Sequence, residues 1–187
     1  MAIKNRSAGI AIERFEFRQV GMGDSLVTPL LEELADEYSS RYGHRRSARD
    51  LFEQYQPEEF MPPVGALVLL LEQGRPVAGG AFRKLDEDTA ELKRMWTHSA
   101  HRKRGFGLRV VAELERVAAQ RGYRRIFLTT GPRQPEAKAL YLSAGYRPLF
   151  DLDANPLEIG PLRFEKFLRP NCTVHNGRWP STEMPAT

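Results

Sequence analysis

The stretch that most limits what this chain can become runs from Thr89 to Leu108: Thr-Ala-Glu-Leu-Lys-Arg-Met-Trp-Thr-His-Ser-Ala-His-Arg-Lys-Arg-Gly-Phe-Gly-Leu. Its first half carries apolar and aromatic bulk at Leu92, Met95 and Trp96 between turn-like flanks, which predicts a strand. A basic loop, Arg102-Lys103-Arg104, follows, and then Gly105-Phe106-Gly107. From Gly107 a helix is expected, because Val110, Val111, Leu114, Val117 and Ala118 recur at helical spacing and Gly122 stands where a helix would stop. Strand, glycine loop and helix N-terminus in that order make an anion site. The first-turn N–H groups lack intrahelical acceptors, and glycine lets a phosphate approach the backbone. The physical reading is a site for a phosphate-bearing cofactor, set against an ordinary strand-loop-helix joint with solvated charges.

Exclusion narrows the cofactor. A dinucleotide fingerprint needs a third glycine three residues after Gly107, and that position is Val110. The Gly-Lys-Ser/Thr of a Walker loop is absent. The residues do fit Arg/Gln-x-x-Gly-x-Gly/Ala, with Arg102, Gly105 and Gly107 in the fixed places. This resembles the pyrophosphate-binding motif of the GNAT superfamily of acetyl-CoA-dependent N-acetyltransferases. A second stretch, Gln134-Pro-Glu-Ala137-Lys-Ala-Leu140-Tyr141-Leu-Ser-Ala-Gly145-Tyr146, is similar to the family's later segment Asn-x-x-Ala-x-x-Leu-Tyr-x-x-x-Gly-Phe. Two departures are visible. Gln134 stands where Asn is usual, so a longer amide must fold back to reach the cofactor arm, and Tyr146 replaces Phe.

The rest of the chain agrees in its order of elements. Ile10 to Val20 reads as a strand, and Asp24 or Ser25 caps a helix that runs to Tyr42 before Gly43. A shorter helix spans Ser47 to Tyr55. Strands at Val64 to Glu72, Arg75 to Leu85 and Thr89 onward form an antiparallel meander. After the long helix come a strand at Arg125 to Thr130, a helix begun by Pro135, and closing strands at Tyr146 to Phe150 and Leu162 to Leu168. The expectation is an α/β (α+β) fold: a mixed, mostly antiparallel sheet of about seven strands, helices on both faces, and one parallel crossover through the helix after Gly107. This order also resembles the GNAT fold over roughly residues 10 to 168. Residues 1 to 168 are expected to form one acetyltransferase domain, and residues 169 to 187, with Pro170, Pro180 and Pro185 among polar residues, a surface tail.

Length and composition set further bounds. A chain of 187 residues with 41% hydrophobic and 28% charged residues suits one soluble domain. Its longest apolar run, Val64 to Leu71, is too short to span a bilayer. No apolar segment follows the basic start, so no secretion signal is expected, and the lone Cys172 cannot form an intrachain disulfide. A cytoplasmic location is expected, with no membrane partner. The net charge of +4 clusters at Arg102 to Arg109 and Arg121 to Arg125, which suits nucleic acid or a nucleotide cofactor alike. Charge alone does not decide between them; no nucleic-acid partner is expected, and a nucleic-acid binder using the arginine clusters is the other reading. His98 with His101 and Cys172 with His175 lack a second pair at zinc spacing, so no metal is expected.

The resemblance implies roles for particular residues. Acetyl-CoA would be the cosubstrate. Arg102, Lys103, Arg104, Gly105, Phe106, Gly107 and Leu108 would surround its diphosphate. Main-chain groups of Met95, Trp96 and Thr97 would hold the pantetheine and polarise the thioester, and Gln134 and Ala137 would meet the cofactor arm. Glu91 matches the position where several family members carry a catalytic glutamate. A cross-strand ion pair with Arg83 or Lys84 explains it equally well, and would weaken it as a base. Tyr141 is the candidate acid, since a phenol of pKa about 10 can donate to a thiolate whose thiol has a pKa of about 8.5; core packing is its other reading. The acceptor is expected to be a small primary amine, taken up around Tyr38, Tyr42, Arg45 and Phe60, with Lys93 or Arg94 available for a substrate carboxylate. Peptide acetylation and a non-catalytic acyl-CoA sensor are the other readings. The resemblance also raises a homodimer, for which the sequence itself carries no sign.

Overall fold

Ala66 to Leu71 is apolar at every position, a pattern that demands cover on both sides of a sheet. The computed structural model, which describes residues 14–43 and 47–168, supplies that cover. Leu67, Leu69 and Leu71 enter one core and Ala66, Val68 and Leu70 the other. Burial of each such side chain contributes about 1.5–3 kcal/mol, which explains why the strand carrying them sits inside the sheet.

Seven strands make one sheet: β1 (Phe15–Val20), β2 (Ala66–Glu72), β3 (Arg75–Lys84), β4 (Thr89–Thr97), β5 (Arg125–Thr130), β6 (Arg147–Pro148) and β7 (Leu162–Phe167). Their order is β1-β2-β3-β4-β5-β7-β6, with β4 and β5 parallel and every other pair antiparallel. Helix α3 (Phe106–Gln120) makes the crossover from β4 to β5 and buries Val110, Val111, Leu114, Val117 and Ala118 on one face. Helix α1 (Thr28–Tyr42) covers the other face with Leu30, Leu31 and Leu34. The remaining helices are α2 (Ala48–Glu53), α4 (Pro135–Ser143) and α5 (Pro156–Ile159). The expected mixed sheet with helices on both faces is what the chain forms.

Differences are local. A 3-10 turn at Ser25–Val27, where Asp24 accepts from the Leu26 N–H, precedes α1. The expected strand from Tyr146 shortens to Arg147–Pro148, since Pro148 has no N–H to extend the ladder. Helix α5 was not anticipated. Ile10, Ile12, Arg45, Cys172, His175 and the tail from 169 to 187 lie outside the described residues.

Two irregularities shape the middle of the sheet. Beyond Leu92↔Leu128 the parallel pairing of β4 with β5 ceases, although β4 runs on to Thr97 and β5 to Thr130. The strands part there, leaving an unpaired edge on each. In the same region β4 carries a bulge. Ala81 pairs with Lys93 and Gly79 with Trp96, so Arg94 and Met95 stand opposite Gly80 alone. Arg94 takes up the extra residue at φ 56°. A Cβ at Gly80 would lie 2.5 Å from Met95 Sδ, so that side chain would have to shift to admit one.

Candidate active site

The parting of β4 and β5 opens a cleft of about 750 Å³. Met95, Trp96 and Thr97 form one wall, Thr129, Thr130 and Tyr141 another, and Leu34, Glu37 and Tyr38 of α1 lie across it. The turn 105–108 closes one end. Gly105 holds φ 76°, a left-handed conformation suited to glycine, and starts α3 one residue earlier than the sequence suggests. The N–H groups of Phe106, Gly107 and Leu108 have no acceptor within the helix, and the helix dipole adds positive potential beside them. A Cβ on Gly107 would approach Leu140 Cδ2 to 3.3 Å. The turn is therefore as close to α4 as a bare backbone permits, with the cleft in front of it.

The cations of the loop take different places. Arg102 lines the cleft and donates to Glu37 Oε2 at 2.9 Å and to the Thr97 carbonyl at 3.4 Å. Lys103 also lines it. Arg104 does not: its guanidinium lies 4.7 Å from the Phe106 ring centre and 3.6 Å from Glu72. Phe106 offers the cleft mainly backbone, since its ring is buried against Phe15 at 5.2 Å.

Gln134 folds back, as its length requires. Its Oε1 accepts from Thr130 Oγ1 and the Gly131 N–H, both at 3.0 Å, while Nε2 donates to Glu37 at 3.3 Å. Ala137 and Leu140 complete that side. Tyr141 is buried, packs on Tyr146 and Phe164 at 5.7 Å each, and still lines the cleft. Burial, helped by nearby Tyr38, pushes its phenol well above the ordinary value, so it stays protonated.

Glu91 stands apart from this group. It is 5% exposed, pairs across the sheet with Arg83, and accepts from Arg83 Nε at 2.9 Å, with Lys93 Nζ at 2.8 Å from its other oxygen. Both oxygens are committed, and the residue is not on the cleft wall. Sequence reasoning missed Glu33 and Glu37, spaced one helical turn apart on α1. Glu33 accepts from Trp96 Nε1 at 2.9 Å and from Ser99 N and Oγ, fixing the end of β4. Glu37 gathers Arg102, Gln134 and Arg41. Their only signal was an i, i+4 acidic pair, which reads as an ordinary solvated helix edge. Among the described residues no cluster of three His, Cys, Asp or Glu could hold a metal, and no helix is long and apolar enough to cross a membrane.

A profile of the acetyltransferase (GNAT) family matches residues 27–146. The uncharacterized N-acetyltransferase YsnE of Bacillus subtilis (strain 168) is 33% identical over 90 residues, 45% of this chain and 60% of that protein, so the chain spans less than two thirds of that relative. Among solved structures, a Klebsiella pneumoniae subsp. pneumoniae MGH 78578 protein assigned as an acyl-CoA N-acyltransferase superposes with a TM-score of 0.64 at 25% identity, covering 83% of this chain and 98% of that one. The PaiA N-acetyltransferase of Thermoplasma acidophilum, solved in complex with coenzyme A, superposes with a TM-score of 0.63 at 14% identity, over 82% and 98% of the two chains, and speaks for the fold alone.

Proposed function

The chain belongs to the acetyltransferase (GNAT) family, and from that premise we propose that it moves an acetyl group from acetyl-CoA directly to the primary amine of a small molecule. The observation that carries this reading is the parted β4–β5 edge, with a glycine turn at one end of its cleft and a protonated tyrosine on the wall. The residues fit the cofactor. Arg102, Lys103 and the free N–H groups of 106–108 suit a diphosphate, and Gly107 keeps the approach open.

When bound, acetyl-CoA supplies a thioester carbonyl and a sulfur leaving group. Main-chain groups of Met95, Trp96 and Thr97 that face the gap have no strand partner and suit the pantetheine arm and the thioester carbonyl, although the Thr97 carbonyl itself accepts from Arg102. Such fixed donors are worth about 3 kcal/mol each when aimed at a developing oxyanion. Tyr141 holds its proton through the alkaline range and offers it to the departing sulfur. Transfer to the amine releases one proton from nitrogen to solvent, the sulfur takes one from Tyr141, and solvent returns one to the Tyr141 phenolate.

Glu91 is a poor candidate for removing the amine proton, because Arg83 and Lys93 occupy its oxygens. The two carboxylates on the cleft wall, Glu37 and Glu136, are themselves engaged, with Arg102 and Arg41 respectively. We therefore assign proton removal to solvent, with the amine entering the reaction neutral. A thiol-release assay with acetyl-CoA and a panel of amino acids, polyamines and peptides tests the function. Release with small amines and not with peptides supports it. Tight CoA binding by calorimetry with silence across the panel would leave a sensor in place of an enzyme.

A further inference from the structure

Three cations surround the ring of Tyr55. The side-chain cations of Arg83, Lys93 and Arg94 lie 4.7, 5.6 and 5.9 Å from its centre. Among the described residues, two carboxylates serve them. Glu59 and Glu91 both pair with Arg83, and Glu91 also pairs with Lys93. Arg94 receives nothing: Nε and both Nη atoms are buried with no hydrogen-bond partner among the described residues. The side chain is 7% exposed, and its guanidinium sits 5.1 Å from the buried Phe60 ring.

An unpaired guanidinium withdrawn from water is a costly arrangement, and aromatic faces offset only part of that cost. Burial opposes the charge of Arg94, yet an arginine cannot shed its proton to escape. The bulge makes the arrangement deliberate. Strict alternation would send Lys93 and Arg94 to opposite faces of the sheet, but with the extra residue at φ 56° both reach Tyr55. Arg94 also borders the cleft, as do Tyr38 and Tyr141. It lies three residues up β4 from Thr97, roughly 10 Å along the strand, and so away from the glycine turn that suits the diphosphate.

We propose that the acceptor carries a carboxylate as well as its amine, and that Arg94 binds that carboxylate. The inference rests on the acetyl-transfer reading above and assigns the substrate class of the same cleft: amino acids or similar amino carboxylates. A carboxylate matches the planar fork of a guanidinium with two parallel hydrogen bonds, and supplies the one negative charge the cluster lacks. Lys93 also borders the cleft but already carries a bond to Glu91, whereas the Arg94 nitrogens have no partner among the described residues. Because the guanidinium nitrogens are covered, binding the carboxylate requires the side chains over them to shift.

The test uses matched pairs, each of the proteinogenic amino acids beside its carboxamide, in the thiol-release assay on the full chain. For the best acid the wild type is expected to show kcat/KM at least 100-fold above that of its amide. Arg94→Gln should cut that ratio at least 30-fold, with Arg94→Lys recovering part of it. CoA affinity by calorimetry is expected to stay within about threefold in both variants. Should Arg94→Gln fail to fold, the wild-type ratio and Arg94→Lys still decide. Amides or simple alkylamines turned over as well as the acids, or an unchanged ratio in Arg94→Gln, would overturn the proposal. Failure of the acetyl-transfer reading has a different signature, which is no thiol release by the wild type with any acid, amide or amine, whether or not CoA binds.

Discussion

The two ends of the cleft are built on different terms. At the glycine turn the contacts are main-chain: a left-handed Gly105, the unpaired first turn of α3, and a Gly107 pressed against Leu140. At the Arg94 end they are side-chain, with cations and carboxylates gathered from β3, β4 and the 3-10 turn Pro57–Phe60 around Tyr55. A backbone site recognises what all its substrates share, which on the proposed reading is the diphosphate of CoA. A side-chain site is free to change with the acceptor.

The sharpest way to break this division is Gly107→Val. Added methyls crowd Leu140 or the approach to the turn, so CoA affinity should fall more than in any other variant here, on the order of 100-fold by calorimetry, while the acid-to-amide preference persists. Tyr141→Phe should do the reverse, lowering kcat roughly 100-fold with CoA affinity nearly intact, as stopped assays and calorimetry would show together. The pH profile comes next. With solvent as base, kcat/KM should rise about tenfold per pH unit toward the acceptor's own pKa. Because burial raises the Tyr141 pKa, no alkaline fall is expected below about pH 10; a plateau near neutrality would point to an enzymic base. Glu37→Gln releases Arg102 and removes a negative charge from the phosphate end, so CoA should bind about two- to fivefold tighter, the scale of a surface ion pair. Glu91→Gln should change turnover least, by less than about threefold, while costing about 1–3 kcal/mol of stability in denaturant melts by leaving Arg83 and Lys93 short of an acceptor.

The same division explains what could be read in the sequence. Gly105, Gly107 and the apolar spacing of α3 announce themselves because backbone geometry restricts residue type locally. The sheet and its parallel crossover followed from such local signals. The ion pairs did not. Glu37 is 65 residues from Arg102, and nothing local distinguishes it from any other acid on a helix edge. Glu91 shows the converse, since a position suggested by family likeness lies beside two cations and off the cleft wall. Helix α5 had its signal in Asn155-Pro156, a cap and a first-turn proline, but four residues are too few for periodicity to register.

The one-residue insertion at Arg94 reaches beyond the acceptor end. Leu92 belongs to the core beneath α3, whereas Trp96, four positions on, belongs to the core beneath α1. An unbroken strand would have sent both the same way. The sheet thus changes phase in mid-strand, and the indole is delivered to Glu33 only because of that half-step. Removing a single residue from β4 would exchange the two cores' claims on everything from Met95 to Thr97, unmaking the proposed cofactor wall and the proposed anion receptor in one stroke.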